Sequence, residues 1–125
     1  VSLAQKRLSQ ISTISRKQSK KVFHGNVISK KISSKTLTNI IDGSIYKDKK
    51  IHFLNVDAEG HDIEVIKSLD FNRYAPIVIC VEIFPEDGNF SNFKVEETDV
   101  YEYLLKQNYE LEWSGFFSHI FLLKK

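Results

Sequence analysis

The chain of 125 residues contains no methionine, one cysteine, two prolines and five glycines. The single thiol, Cys80, cannot form an internal disulfide, and its place in an apolar run indicates a buried thiol without a catalytic role. No stretch reaches the roughly 18 apolar residues of a membrane span, and no short apolar block near the start is typical of a secretion signal. We therefore expect a cytoplasmic protein that does not bind membranes.

The few glycines are also far apart, at positions 25, 43, 60, 88 and 115. A dinucleotide or cofactor loop of the G-x-G-x-x-G type needs glycines two or three residues apart, so that the backbone can approach a phosphate or a sugar closely. This sequence contains no such loop.

Charge of one sign is scarce in each part of the chain. Residues 1–50 carry twelve Lys or Arg and two Asp, whereas residues 51–125 carry six Lys or Arg and fourteen Asp or Glu. The basic part could bind an acidic partner or RNA, or it could lie against the acidic part of the same chain. Its basic pairs lack the interleaved aromatic residues that single-stranded nucleic acids stack on, which disfavours nucleic acid.

An acidic cluster directly follows a strand-like run in Ile51–Gly60. Phe53, Leu54 and Val56 favour burial, whereas Asp57 and Glu59 require water, a cation or hydrogen-bond donors. The chain therefore has to pass from the core to a cleft within about three residues, and ligands of open parallel sheets bind at such carboxyl ends.

A second apolar run, Ile77–Phe84, follows a segment with helical spacing at Asp62–Leu69. The run is nearly continuous in β-branched residues, which is typical of a strand covered on both faces. The order strand, helix, strand predicts a right-handed crossover between parallel strands. Glu82 is the one charge in this run, so it has to find a partner or a wet cleft.

The remaining segments divide into a leader and a domain. Residues 1–35 are basic and rich in serine, and we expect a partly mobile leader with a marginal helix and a small hairpin at 22–28. Residues 36–125 should hold the folded domain. Its further elements, all predicted from periodicity, are a short helix at Thr36–Ile41 ended by Asp42-Gly43, a loop at Pro85–Lys94, a helix at Val95–Asn108 capped by Thr98 or Asp99, and an antiparallel pair of strands at Tyr109–Trp113 and His119–Leu123.

The loop at 85–94 contains Phe90 and Phe93. These side chains could form the apolar tips of a lid over a cleft, or they could simply pin a surface loop to the core, and the second interpretation is favoured.

The sequence LNVDAEGHDIEVIKSLD, followed by VICVEIF, resembles the signature of the FkbM family of S-adenosylmethionine-dependent methyltransferases. Asp57, Glu59, Gly60 and Glu82 stand at the positions of the family pattern, and Asp62 stands where the family more often has Glu. The short helix from Thr36 also resembles the family's segment before the signature strand. The resemblance extends over about residues 36–125.

This resemblance implies an α/β fold, namely part of a Rossmann-like class I methyltransferase fold. We expect a mostly parallel sheet that ends in an antiparallel strand pair, with helices on both faces. Since the family's glycine-rich cofactor loop would precede the signature strand, and the chain begins with Val1, we expect a fragment, a processed product or an excised segment. We expect such a chain by itself to bind the cofactor weakly and to be weakly active or inactive.

The resemblance further implies methyl transfer from S-adenosylmethionine, most simply to an oxygen of a small molecule or a sugar. Asp57 is expected to touch the cofactor or the acceptor, Glu59 to bind the acceptor or act as a base, and Glu82 to be the third catalytic candidate. His61 adjoins them and could contact the acceptor. From the residues alone, Asp57 and Glu59 could instead cap the helix that follows.

Two kinds of site are not predicted. The acidic residues and His61 lack a recognised ligand spacing, so we predict no metal. His24, His52 and His119 are isolated and are interpreted as surface or fully hydrogen-bonded structural histidines.

A different class of function stays open. The chain could be a non-enzymatic interaction module whose basic amino-terminal segment binds an acidic partner or RNA. In either case, the signature strand would lie at an open edge of the sheet, which predicts self-association through that edge.

Overall fold

The computed structural model describes residues 31–85 and 89–125, and the statements on structure refer to these residues. The predicted leader therefore lies almost wholly outside the described residues, as do its helix and its hairpin at 22–28. The regular elements are helices α1 (Leu37–Asp42), α2 (Asp62–Lys67) and α3 (Asp99–Lys106), a 3₁₀ helix (Val95–Glu97), and strands β1 (Phe53–Val56), β2 (Val78–Glu82), β3 (Tyr109–Ser114) and β4 (Ser118–Leu123).

The four strands form one sheet in the order β1-β2-β4-β3. β1 and β2 are parallel, as the strand, helix, strand pattern predicts. β4 is antiparallel to both β2 and β3, and the predicted pair at the end of the chain is confirmed. The sheet in the described residues is therefore mixed rather than mostly parallel, because the short turn between β3 and β4 permits only an antiparallel pair.

The core lies on one face of the sheet. Val56, Ile79, Val81 and Phe121 point to this face and pack in one cluster with Ile66 of α2, and with Val100 and Leu104 of α3. α1 has no buried residue. Both helices that supply core side chains thus cover the same face, and the described residues do not show helices on both faces.

The predicted burial of Phe53 in β1 is wrong, because this residue lies on the face of the sheet opposite the core. Phe53 is 59 % exposed, although its hydrophobicity favoured burial, and Leu54 is only half-buried. Strand residues alternate between faces, so Phe53 points away from the face that carries Val56 and the core. The second face of β2, which includes Cys80, is also half-exposed, so β2 is not fully covered on both sides.

The two predicted long helices are shorter than expected. α2 ends at Lys67, and Leu69 is nevertheless buried just beyond it. The predicted helix at Val95–Asn108 divides into a 3₁₀ helix and α3, because Thr98 between them is extended and its side chain accepts a hydrogen bond from Tyr101 N. Asn108, with φ of 68°, stops the chain from continuing as a helix.

A polar cluster holds α1 in place. The Arg73 guanidinium donates to both carboxylate oxygens of Asp42, at 2.9 and 2.6 Å, and the Tyr74 hydroxyl donates to the same carboxylate at 2.6 Å. The bidentate Arg73 contact is the main reason why the pKa of Asp42 is lowered to about 2. Gly43 ends α1 as predicted.

No helix in the described part of the chain is long and apolar enough to cross a membrane.

Candidate functional site

The acidic residues of the signature lie at the end of the sheet where β1 and β2 finish. This end is called the acidic edge below and includes Asp57, Glu59, Asp62 and Glu82. Val56 of β1 is the partner of Val81 of β2 in a parallel pair, and Asp57 and Glu82 are the residues that follow them. Adjacent strands are about 4.8 Å apart, so these two carboxylates project from the same level of neighbouring strands. The prediction that Asp57 and Glu82 belong to one site requires this proximity.

The strand does not continue through Glu59. β1 ends at Val56, and Glu59 has φ of 50° while Gly60 has φ of 88°. The left-handed backbone at these two residues turns the chain sharply, so Asp57 and Glu59 do not share a strand face. Glycine suits residue 60 because residues with a side chain rarely adopt a φ of 88°.

Asp62 fixes this turn. Its side chain is 5 % exposed, and its carboxylate accepts hydrogen bonds from the backbone N–H groups of Ala58, at 2.9 Å, and Gly60, at 3.2 Å. These N–H groups lie in the turn before α2, so Asp62 holds the turn rather than capping the helix. The N-cap residue itself is His61, without a side-chain hydrogen bond.

Asp57 and Glu59 take no part in the hydrogen bonds that hold this turn. Both are exposed, and neither carboxylate makes a hydrogen bond or an ion pair with another residue of the described ranges. The observed turn therefore gives no support to a capping role for these two residues.

Glu82 lies in a different environment. It is half-buried, and burial is the largest cause that raises the pKa of its carboxyl group. The charges of Asp57, Glu59 and Asp62 raise the pKa further. Three neighbouring carboxylates thus influence the protonation of Glu82. A carboxyl group with a raised pKa is a better base near neutral pH.

A cavity of about 390 Å³ opens beside Glu82. The residues that line it include four acidic ones, Asp62, Glu82, Glu97 and Asp99, and five apolar ones, Ile63, Ile83, Phe84, Phe93 and Val100. Its size is within the range of small-molecule sites. The structure therefore brings Glu82 and Asp62 to the cavity, whereas Asp57, Glu59 and His61 lie outside its lining.

His61 faces a neighbour on its own helix. Its Nδ1 lies 3.9 Å from Glu64 Oε2, and its side chain is 32 % exposed. The side chain is thus accessible at the acidic edge. In the described ranges, no cluster of three or more His, Cys, Asp or Glu side chains has the arrangement of a metal site.

His119 differs from its interpretation as a surface or fully hydrogen-bonded residue. It is 1 % exposed, its Nδ1 lies 2.9 Å from Ser114 Oγ, and its Nε2 has no hydrogen-bond partner among the described residues. Burial lowers the pKa of its imidazole. The sequence contains no signal for this pair, because a shift in strand pairing between Leu111 and Trp113 brings Ser114 opposite His119. His52 is exposed, and His24 lies outside the described residues.

Cys80 is half-exposed rather than buried, because it lies on the second face of β2. Burial of the sulfur and the neighbouring Glu82 raise the pKa of the thiol. A thiol with a raised pKa is less readily ionised and is a poorer nucleophile.

A comparison with protein families gives a match that covers most of the chain. Residues 3–111 match the family model described as Methyltransferase FkbM domain. The match includes most of the segment 1–35, which the sequence resemblance did not cover. The comparisons with curated proteins and with solved structures gave no significant match.

Proposed function

The chain belongs to the FkbM family of methyltransferase domains, and we propose that it transfers a methyl group from S-adenosylmethionine to an oxygen atom of a small molecule or a sugar. The observation that supports this proposal best is the position of Glu82. This carboxylate of the family signature stands at the end of a strand, beside a cavity of about 390 Å³ and within the field of three more carboxylates.

The fold is compatible with part of a Rossmann-like class I domain. A parallel β1-α2-β2 unit and an antiparallel pair beyond it agree with what the family resemblance implies. In such sheets, ligands bind at the carboxyl ends of the parallel strands, where the acidic edge lies.

The residues at this edge fit the charge of the cofactor. S-adenosylmethionine carries a positive sulfonium group and an ammonium group, and the exposed carboxylate of Asp57 has no partner among the described residues. Asp57 would hold a cationic part of the cofactor through charge and hydrogen bonding. When bound, S-adenosylmethionine supplies an electrophilic methyl group.

Glu82 is proposed as the base. Its raised pKa favours acceptance of the acceptor's hydroxyl proton while the new oxygen–carbon bond forms and the bond between the methyl group and sulfur breaks. Glu59 and His61, which precede α2 at the same edge, are proposed to bind and orient the acceptor. Orientation is the main requirement, because the reaction needs no covalent intermediate with the protein.

Cofactor binding and methyl transfer test this proposal separately. Saturation-transfer NMR on the full chain detects weak binding of S-adenosylmethionine, and transfer of a radiolabelled methyl group to hydroxylated acceptors measures the reaction. We expect binding in the sub-millimolar to millimolar range, weakened several-fold by Asp57→Asn. Glu82→Gln should leave binding in place and lower transfer by about 100-fold or more, the usual contribution of a general base.

Glu110→Gln is the matched control, since it removes an exposed strand glutamate from β3. Absence of cofactor binding at millimolar concentration, or transfer that neither variant changes, would overturn the proposed function. Micromolar affinity would contradict only the expectation of weak cofactor binding.

A further inference from the structure

Five phenylalanine side chains meet at the same end of the sheet as the acidic edge. Phe90 stacks on Phe116 with ring centroids 4.5 Å apart and lies 5.5 Å from Phe117 and 5.9 Å from Phe93. Phe117 lies 5.2 Å from Phe84 and 4.6 Å from Phe116. These five residues, Phe84, Phe90, Phe93, Phe116 and Phe117, are called the phenylalanine cluster below.

The cluster is connected directly to Glu82. Glu82 is the strand partner of Ser118, which follows Phe117, and Ile83 N donates a hydrogen bond to Phe117 O at 3.0 Å. Phe84 and Phe93 line the same cavity as Glu82. Two rings of the cluster therefore share a cavity with Glu82, and the other three rings are joined to these two by ring contacts.

Internal packing explains only part of this cluster. Phe93 packs against the core, as the interpretation that it pins its segment of chain to the core expects. Phe84, Phe117 and Phe116 remain 38, 42 and 64 % exposed, although Phe117 contacts both of the others. Contiguous exposed aromatic surface beside a polar cavity is the usual composition of a ligand site, in which apolar walls surround a few polar groups.

We propose that the methyl acceptor is amphipathic, with its hydroxyl group at Glu82 and an apolar chain or ring on the phenylalanine cluster. The inference rests on the proposed function for the role of Glu82, and it narrows the acceptor class. A bare sugar would leave the exposed rings in water, whereas a hydroxylated molecule with an apolar tail removes them from water. Burial of three or more methylene groups against the rings should increase affinity at least tenfold.

Two glucosides test the apolar contact without any reaction. Octyl β-glucoside, kept below its critical micelle concentration, and methyl β-glucoside share a head group and differ only in the chain. Titration calorimetry or NMR on the full chain should show at least tenfold tighter binding of the octyl compound. Equal affinities would overturn the inference.

Three variants locate the contact. Phe116→Ser and Phe84→Ser should each reduce the preference for the octyl compound at least threefold, and Phe116 is exposed enough that folding should be preserved. Phe53→Ser is the matched control, because Phe53 is 59 % exposed but begins β1, at the opposite end of the sheet from the acidic edge. A loss of preference in Phe53→Ser as large as in Phe116→Ser would contradict the assignment.

The outcome also separates this inference from the proposed function. Methyl transfer without a preference for the octyl over the methyl compound would refute the amphipathic acceptor and leave the proposed reaction intact. A preference for the octyl compound without any binding of S-adenosylmethionine would refute the proposed reaction and leave the apolar site intact. Sedimentation with phosphatidylcholine vesicles that depends on Phe116, together with equal affinities for both glucosides, would assign the cluster to a lipid surface and overturn the inference.

Discussion

Ser114 and His119 face each other across the β3–β4 pair, with Ser114 Oγ 2.9 Å from His119 Nδ1. The second ring nitrogen of His119 has no partner among the described residues, although the side chain is 1 % exposed. Protonation of the imidazole would place a positive charge in the core and leave an N–H group without an acceptor. The fold therefore favours the neutral ring, which agrees with the lowered pKa of His119.

His119 should make the fold sensitive to mild acid. Its pKa is lower in the folded chain than the usual value of about 6.5 in the unfolded chain, so the unfolded state binds more protons below neutral pH. Stability is then lost as the pH falls through about 6.5. The charge of Glu96 raises the pKa of His119 and so offsets the effect of burial only in part. Urea unfolding should give a lower free energy of unfolding at pH 5.5 than at pH 7.5 in the unsubstituted chain. The difference between the two pH values should be smaller in His119→Phe. His52→Gln, which removes an exposed histidine, should behave like the unsubstituted chain.

Glu82 should lower stability at neutral pH. Its pKa is raised in the folded state, so the folded state holds the proton more tightly, and stability falls as the pH rises through the folded pKa. Glu82→Gln removes this charge, so Tm at pH 7 should rise. The gain should shrink as the pH approaches 4.5. Thermal unfolding that shows no gain, or an equal gain in Glu110→Gln, would contradict the cost assigned to Glu82.

Much of the topology could be predicted from local pattern. The apolar runs at Ile51–Gly60 and Ile77–Phe84, separated by a helical period, correctly indicated the parallel pair β1 and β2. The helix cap at Thr98 was also correctly predicted. These features depend on residues within a few positions of each other, which a single sequence displays directly.

Other features depend on backbone conformation, burial and strand register in the folded chain, which the pattern of residue types does not display. The left-handed turn at Glu59 depends on the buried carboxylate of Asp62, and the exposure of Phe53 depends on which face the helices cover. The pair of Ser114 and His119 depends on a shift in strand pairing that alternation along β3 does not show.

Asp62 should be the most important residue for the shape of the acidic edge. Asp62→Ala removes the acceptor for the N–H groups of Ala58 and Gly60 and should cost about 2–3 kcal/mol of unfolding free energy, measured by urea titration. Since the turn that presents Asp57 and Glu59 loosens, cofactor binding should also weaken. Glu64→Ala in the same helix removes a side chain that is 66 % exposed, and its effect should stay within about 0.5 kcal/mol. Equal costs for the two variants would argue against a role for Asp62 in holding the turn.

Gly115 should control the position of Trp113, the only tryptophan in the chain. A Cβ atom at Gly115 would overlap the indole ring of Trp113, and it would lie 3.2 Å from Ser118 O. Gly115→Ala should therefore displace the indole, which is 53 % exposed, further into water and shift its fluorescence emission to longer wavelength. Gly43→Ala is the control, because a Cβ there meets the helix oxygen of Asn39 at 3.3 Å, in another part of the fold. An unchanged spectrum in Gly115→Ala would show that the indole does not rest on Gly115. A shifted spectrum together with weaker binding of octyl β-glucoside would show that the β3–β4 turn also sets the position of Phe116 and Phe117.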